Sequence, residues 1–195
     1  MSADDSIQGE PGPEEAAGVG HNQVVWDRWH KKRTFVRALE GTYGKLVRGL
    51  LDAPRVYHLA DFEWGGGPQA FHKSLCNPQS TEIAQSIEIH IDAIAPGGSS
   101  VKHGHMNSAV FLILKGKGFD VHDGNRLEYA AGDAMIVENA CVHQHSNASS
   151  DEELYVLTMK AKPLFLFMHM IFQKNVDMPP NDPVPGQEAY QPQDL

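Results

Sequence analysis

The clearest alternation of apolar and polar residues runs from Gln85 to Ala93 (QSIEIHIDA), with Ile87, Ile89 and Ile91 on one face and Glu88, His90 and Asp92 on the other. A period of two is that of a β-strand, so this stretch predicts a strand. Its polar face is expected to meet solvent; were it turned inward, His90 and Asp92 would become candidate substrate contacts. Further strands are predicted at Ala109–Leu114, Gly118–His122, Arg126–Tyr129, Ala134–Val137 and Leu154–Thr158, with a hairpin turn at Asp123-Gly124. Shorter runs at Arg55–Leu59 and Phe62–Trp64 read as strand and turn, stopped by Gly65-Gly66-Gly67-Pro68, which reads as a flexible loop. Short strands separated by Gly-bearing turns, without βαβ alternation or an internal repeat, indicate an all-β sandwich or barrel.

The flanks differ in texture. Residues 1–22 are acidic and rich in Gly, Pro and Ala, too poor in apolar side chains to offset the entropy of ordering, and are expected to be a disordered leader. Over residues 23–53, Trp29, Val36, Leu39, Tyr43, Leu46 and Leu50 recur at helical intervals, predicting an N-terminal helical segment broken near Gly41 and Gly44. The barrel is assigned to 54–175. Near its end the run Leu164–Phe172 is apolar on all sides, as a short buried helix or a buried strand. The Pro-rich residues 176–195 are expected to form an extended arm. A partner subunit and this arm would cover the apolar run, so a homodimer or higher homo-oligomer is expected.

Composition narrows the function classes. The net charge of −9 and the lack of a concentrated basic face exclude a nucleic-acid partner; Arg28–Arg33 is short and flanked by Trp26 and Phe35, as in an amphipathic helix. Two cysteines, Cys76 and Cys141, make no disulfide framework. The N-terminus lacks the basic start and apolar core of a secretory signal, and no run approaches the ~20 apolar residues of a membrane helix. These features suggest a soluble, cytoplasmic protein with no membrane partner.

The candidate chemistry lies in two pairs, His103-Gly104-His105 and His143-Gln144-His145. A strand sends residues i and i+2 to one side, and imidazole is the commonest metal ligand among side chains, so the pairs can close on a metal inside the barrel. Parity places Ala109, Phe111 and Ile113 inward as well. Cys141 is read as a small buried residue, and His58, His72, His122 and His169 as structural.

The spacing is Gly97, five residues, His103-Gly104-His105, three residues, Ala109, six residues, Gly116, followed by Gly132, Glu138, Ala140, His143 and Asn147. It resembles the two motifs of the cupin superfamily, a double-stranded β-helix or jelly-roll barrel. Glu138 and Ala140 stand where that pattern has Pro and Gly, and Ala109 replaces its usual glutamate ligand. The three-histidine set and the second His-x-His resemble the gentisate and hydroxynaphthoate dioxygenase branch. That resemblance implies Fe(II) held by His103, His105 and His143, a small-molecule substrate, O2 as co-substrate and cleavage of an aromatic ring.

Three neutral ligands leave a divalent ion its full charge, which favours an anionic chelating substrate. His145 is assigned as an acid/base group, with a fourth ligand or a structural role as alternatives, and Asn147 as a turn-fixing residue. Ala109 and Phe111 are assigned to the substrate wall. Phe111 stands where an arginine is common in that branch, which favours a neutral phenol, a hydroxyarylketone or a β-diketone over a carboxylated substrate. The alternatives are a non-redox cupin isomerase, lyase or cyclase using Zn, Ni or Mn, and a small-molecule-binding cupin.

Overall fold

The structure, a computed structural model, describes residues 54–77 and 86–195. The expected leader, the helical segment at 23–53 and the start of the Gln85 strand lie outside them. The described chain forms β1 (Gly65–Gly66), β2 (Ala70–Cys76), β3 (Glu88–Ile94), β4 (His103–His105), β5 (Ala109–Lys115), β6 (Lys117–His122), β7 (Asn125–Ala130), β8 (Ala134–Val137), β9 (Val142–Asn147), β10 (Leu154–Lys160), a short helix α1 (Lys162–Phe167) and β11 (Gln173–Asn175). One sheet has the order β1-β2-β3-β10-β5-β8 and the other β11-β4-β9-β6-β7. All pairings are antiparallel, and the architecture is the expected all-β jelly roll.

Turn chemistry fixes the registers. At Asp123-Gly124 both residues have positive φ (45° and 92°), and His122 pairs with Asn125; this is the two-residue turn whose twist matches that of the flanking strands. Gly116, between β5 and β6, has φ 81°, and a Cβ there would collide with the Glu153 carbonyl, so only glycine fits. Asn147 closes the far end of β9. Its Nδ2 donates to the carbonyls of Ile94, Ala95 and Glu152, and its Oδ1 accepts from Ser149 N–H.

The interior is apolar at one end and polar at the other. Ile94, Ala109, Phe111, Ile113, Met135, Val137, Leu154 and Val156 form the buried cluster between the sheets. A second cluster, Ile91, Ala93 and Tyr155 with Leu59 and Trp64, lies on the other face of the larger sheet. Covering that face are residues 55–64 and the C-terminal arm. Lys73 Nζ donates to Leu59 O (3.0 Å) and pairs with Asp194 (2.6 Å), Tyr155 Oη donates to Gln193 O (2.8 Å), and Tyr190 meets Phe71 edge-on.

This cover corrects several expectations. The isoleucine face of β3 packs outward beneath the cover, and the Glu88, His90 and Asp92 face turns into the barrel. Residues 55–64 contain no strand, only a 3-10 turn at Leu59–Asp61. The strand of this region is β2, and the glycines after Trp64 form its hairpin, Gly65 pairing with His72. A Cβ on Gly67 would lie 2.8 Å from the Phe71 ring, so close packing, rather than slack, demands glycine there. The apolar run after Pro163 begins as α1 but is exposed, with Phe167 84% and Phe172 66% accessible.

Candidate metal centre

His103 on β4 and His143 on β9 are direct partners across the β4–β9 pair, and His105, two residues along, shares the face of His103. Register therefore brings three imidazoles together. Their ring centroids lie 4.3 Å (His103–His143), 4.7 Å (His105–His143) and 5.5 Å (His103–His105) apart, and one donor atom from each lies within 4.8 Å of the others.

The backbone sets their tautomers. Nδ1 of His103, His105 and His143 faces the carbonyls of Val101 (3.0 Å), Asn107 (2.7 Å) and Cys141 (3.2 Å). A carbonyl only accepts, so each Nδ1 donates and each Nε2 carries the lone pair. Burial lowers the basicity of all three, to about 4 for His103 and about 2 for His143, so the donors are neutral at physiological pH. His143 Nε2 is fully buried without a hydrogen-bond partner. An orphaned acceptor beside two others fits a divalent metal, and the backbone carbonyls act as the outer partners that orient such ligands.

His145 stands apart from this donor group. It faces Asp120 directly across the β9–β6 pair, and its Nδ1 donates to Asp120 Oδ2 at 2.6 Å. Asp120 is completely buried. It also accepts from Tyr129 Oη on Oδ1 (2.9 Å) and from His122 Nε2 on Oδ2 (3.2 Å). Burial opposes the Asp120 charge, but His145 and these hydrogen bonds outweigh it and lower its pKa, keeping the carboxylate ionised. Phe111 packs on His145 at 4.6 Å between centroids.

A cavity of about 510 Å³ opens in front of these rings. Across it lie Glu88, His90, Asp92, Lys160 and Lys162. His90 Nε2 is 3.1 Å from Asp92 Oδ2, which also accepts from Thr158 Oγ1 at 2.7 Å. Burial works against the Asp92 charge, but His90 and Thr158 override it and hold this carboxyl below the usual range. Lys162 pairs with Glu88 at 3.6 Å, whereas Lys160 has no ion-pair partner among the described residues. Burial lowers the Lys160 pKa, against the pull of Asp92 and Glu88.

The family model for the cupin domain matches residues 90–160, the span that holds all three imidazoles and most of both sheets. Residues 90–160 are a cupin domain. Over 73 residues the chain is 31% identical to the 5-aminosalicylate 1,2-dioxygenase of Comamonas sp, covering 37% of this chain and 20% of that protein. A salicylate 1,2-dioxygenase of Pseudaminobacter salicylatoxidans, solved with gentisate, superposes with TM-score 0.53 at 16% identity over 71% of this chain and 36% of that one. The polyketide cyclase of Streptomyces resistomycificus gives TM-score 0.50 at 16% identity, covering 64% of this chain and 87% of its own. The structural likenesses establish the fold. The chain spans about a fifth of the curated dioxygenase and little more than a third of the salicylate enzyme.

Of the residues singled out from sequence, the cupin barrel brings His103, His105, His143, His145, Phe111, His90 and Asp92 to one cavity. Ala109 is not on its wall. It lies in the apolar cluster with Phe111 and Ile113. His72, read as structural, borders the cavity, and His122 joins the Asp120 network. Asp120 and Lys160 were not singled out. Asp120 alternates with Phe119 and Val121, so parity places it with His122, but its tie to His145 depends on strand register. No helix among the described residues is long and apolar enough to cross a membrane.

Proposed function

We propose that the cavity is the active site of a cupin dioxygenase that holds Fe(II) through His103, His105 and His143 and cleaves a C–C bond in a phenolic or enolisable substrate. The observation that carries this reading is the convergence of three backbone-oriented imidazoles with an unpartnered, buried His143 Nε2. The likeness to a 5-aminosalicylate dioxygenase over 73 residues supports it.

Divalent iron bound there supplies Lewis acidity toward substrate oxygens and a site for O2. The chain's own groups do the rest. His145, held by Asp120 through Nδ1, presents Nε2 to receive the proton of a substrate hydroxyl, and Asp120 stabilises the charge that results. Phe111 packs on the His145 ring and gives the substrate an apolar face. Lys160 offers an anion-binding group on the opposite wall, which restores the carboxylated phenols that Phe111 alone disfavours. His90, held by Asp92, is a second group able to exchange a proton with the substrate from that side.

The test is anaerobic reconstitution with Fe(II), followed by oxygen uptake with a panel of phenols, hydroxybenzoates, hydroxyketones and β-diketones. Uptake with one of these, absent from the His103→Ala variant, is expected. Stoichiometric iron without uptake from any of them would overturn the reading. Turnover without uptake, supported by Zn, Ni or Mn, would replace it with an isomerase, lyase or cyclase.

A further inference from the structure

Behind the three-histidine centre lies a second cluster of different composition. One donor atom each from His122, at the end of β6, Glu138, after β8, and Cys141, before β9, lie within 4.8 Å of one another. His122 and Cys141 are buried, and Glu138 is exposed. His122 Nδ1 faces Glu138 Oε2 at 2.9 Å, and its Nε2 donates to Asp120 Oδ2 at 3.2 Å.

We infer that His122, Glu138 and Cys141 form a second metal site, for a borderline-soft divalent ion of the Zn(II) class.

The donor set supports that class: a thiolate, an imidazole and a carboxylate are the ligands zinc accepts in a tetrahedral site, with one position left to solvent. The outer partner of the imidazole is already in place: the carboxylate of Asp120 behind Nε2 is the arrangement that fixes a metal-binding imidazole. Glu138 leaves an entry path from solvent. The sequence departs from the cupin pattern here: Glu138 stands in place of Pro and supplies the carboxylate. Ala140 stands in place of Gly, keeps a φ of 64°, and donates its N–H to His105 O at 3.0 Å, so the turn beneath Glu138 and Cys141 is preserved at a cost in backbone strain.

Metal binding releases two protons to the buffer, that of the Cys141 thiol and that held between His122 Nδ1 and Glu138 Oε2. The metal takes the vacated sulfur and nitrogen lone pairs, with no change of oxidation state.

Cobalt(II) under anaerobic, reducing conditions tests the site, because thiolate–Co(II) bonds give a near-ultraviolet charge-transfer band that an all-imidazole centre cannot. The full chain carrying Cys76→Ser, which removes the other thiol, should develop the band, and Zn(II) should bleach it. The band should persist in His103→Ala. It should vanish in Cys141→Ser, and Glu138→Gln, at an exposed position, should weaken Co(II) binding by about 10- to 100-fold. No band at saturating Co(II), or a band indifferent to Glu138→Gln, would overturn the proposal.

Discussion

Asp120 and His145 are cross-strand partners, and the 2.6 Å bond from His145 Nδ1 to Asp120 Oδ2 ties a completely buried carboxylate to the edge of the substrate cavity. The carboxylate that the cupin pattern has at the position of Ala109, and that this chain lacks there, is thus present elsewhere. It bonds to His145 rather than to any of the three converging imidazoles, and gives His145 a fixed orientation. Asp120→Asn is expected to retain metal and substrate affinity and to lower kcat by about 10- to 100-fold. Metal content with steady-state kinetics checks this; loss of metal would make Asp120 a support of the ligands instead.

His103 and His145 are expected to separate cleanly. His103→Ala should lose the metal. His145→Ala should keep it and slow turnover by about 10²- to 10⁴-fold, the range of a general acid/base group. Metal loss in His145→Ala, measured on the purified variants, would make His145 a ligand.

Lys160 faces the triad across the cavity as a cation without an ion-pair partner among the described residues. Lys160→Met should raise KM for carboxylated phenols by about 10- to 100-fold, the worth of one charged hydrogen bond, and leave KM for uncharged phenols unchanged. Equal effects on both would show that Lys160 supports the fold rather than the substrate.

Acid should destabilise the metal-free protein over a defined window. Unfolded imidazoles titrate near 6.5, whereas burial lowers folded His103 to about 4 and His143 to about 2. Below about pH 6.5 the unfolded chain binds protons that the folded chain refuses, so stability falls with falling pH, the His103 share until about pH 4 and the His143 share until about pH 2. The urea midpoint should be lower at about pH 5 than at about pH 7, and the difference should shrink in His143→Ala. A midpoint that stays level or rises on acidification would contradict the neutral triad.

The strands from Ala109 to Val137 were legible because each alternates cleanly and ends on a glycine or an Asp-Gly turn. The three-histidine group was legible because its spacing reflects two strands facing each other. The orientation of β3 was not. Alternation tells which residues share a face but not which face is inside, and here residues 55–64 and the C-terminal arm cover the isoleucines while the cavity takes His90 and Asp92. The same reason hid β2: His72 and Ser74 border the cavity and Lys73 is buried against Asp194, so neither face looks like a core. Asp120 and Lys160 carry no local signature; their roles come from the partners that register supplies.

X-ray absorption of the protein loaded with one equivalent of Fe(II) tests the central claim most directly. The spectrum should show scattering from three imidazoles, the number of converging rings, and this shell should be lost in His143→Ala. A wild-type spectrum that His143→Ala leaves unchanged would place the iron elsewhere and contradict the account.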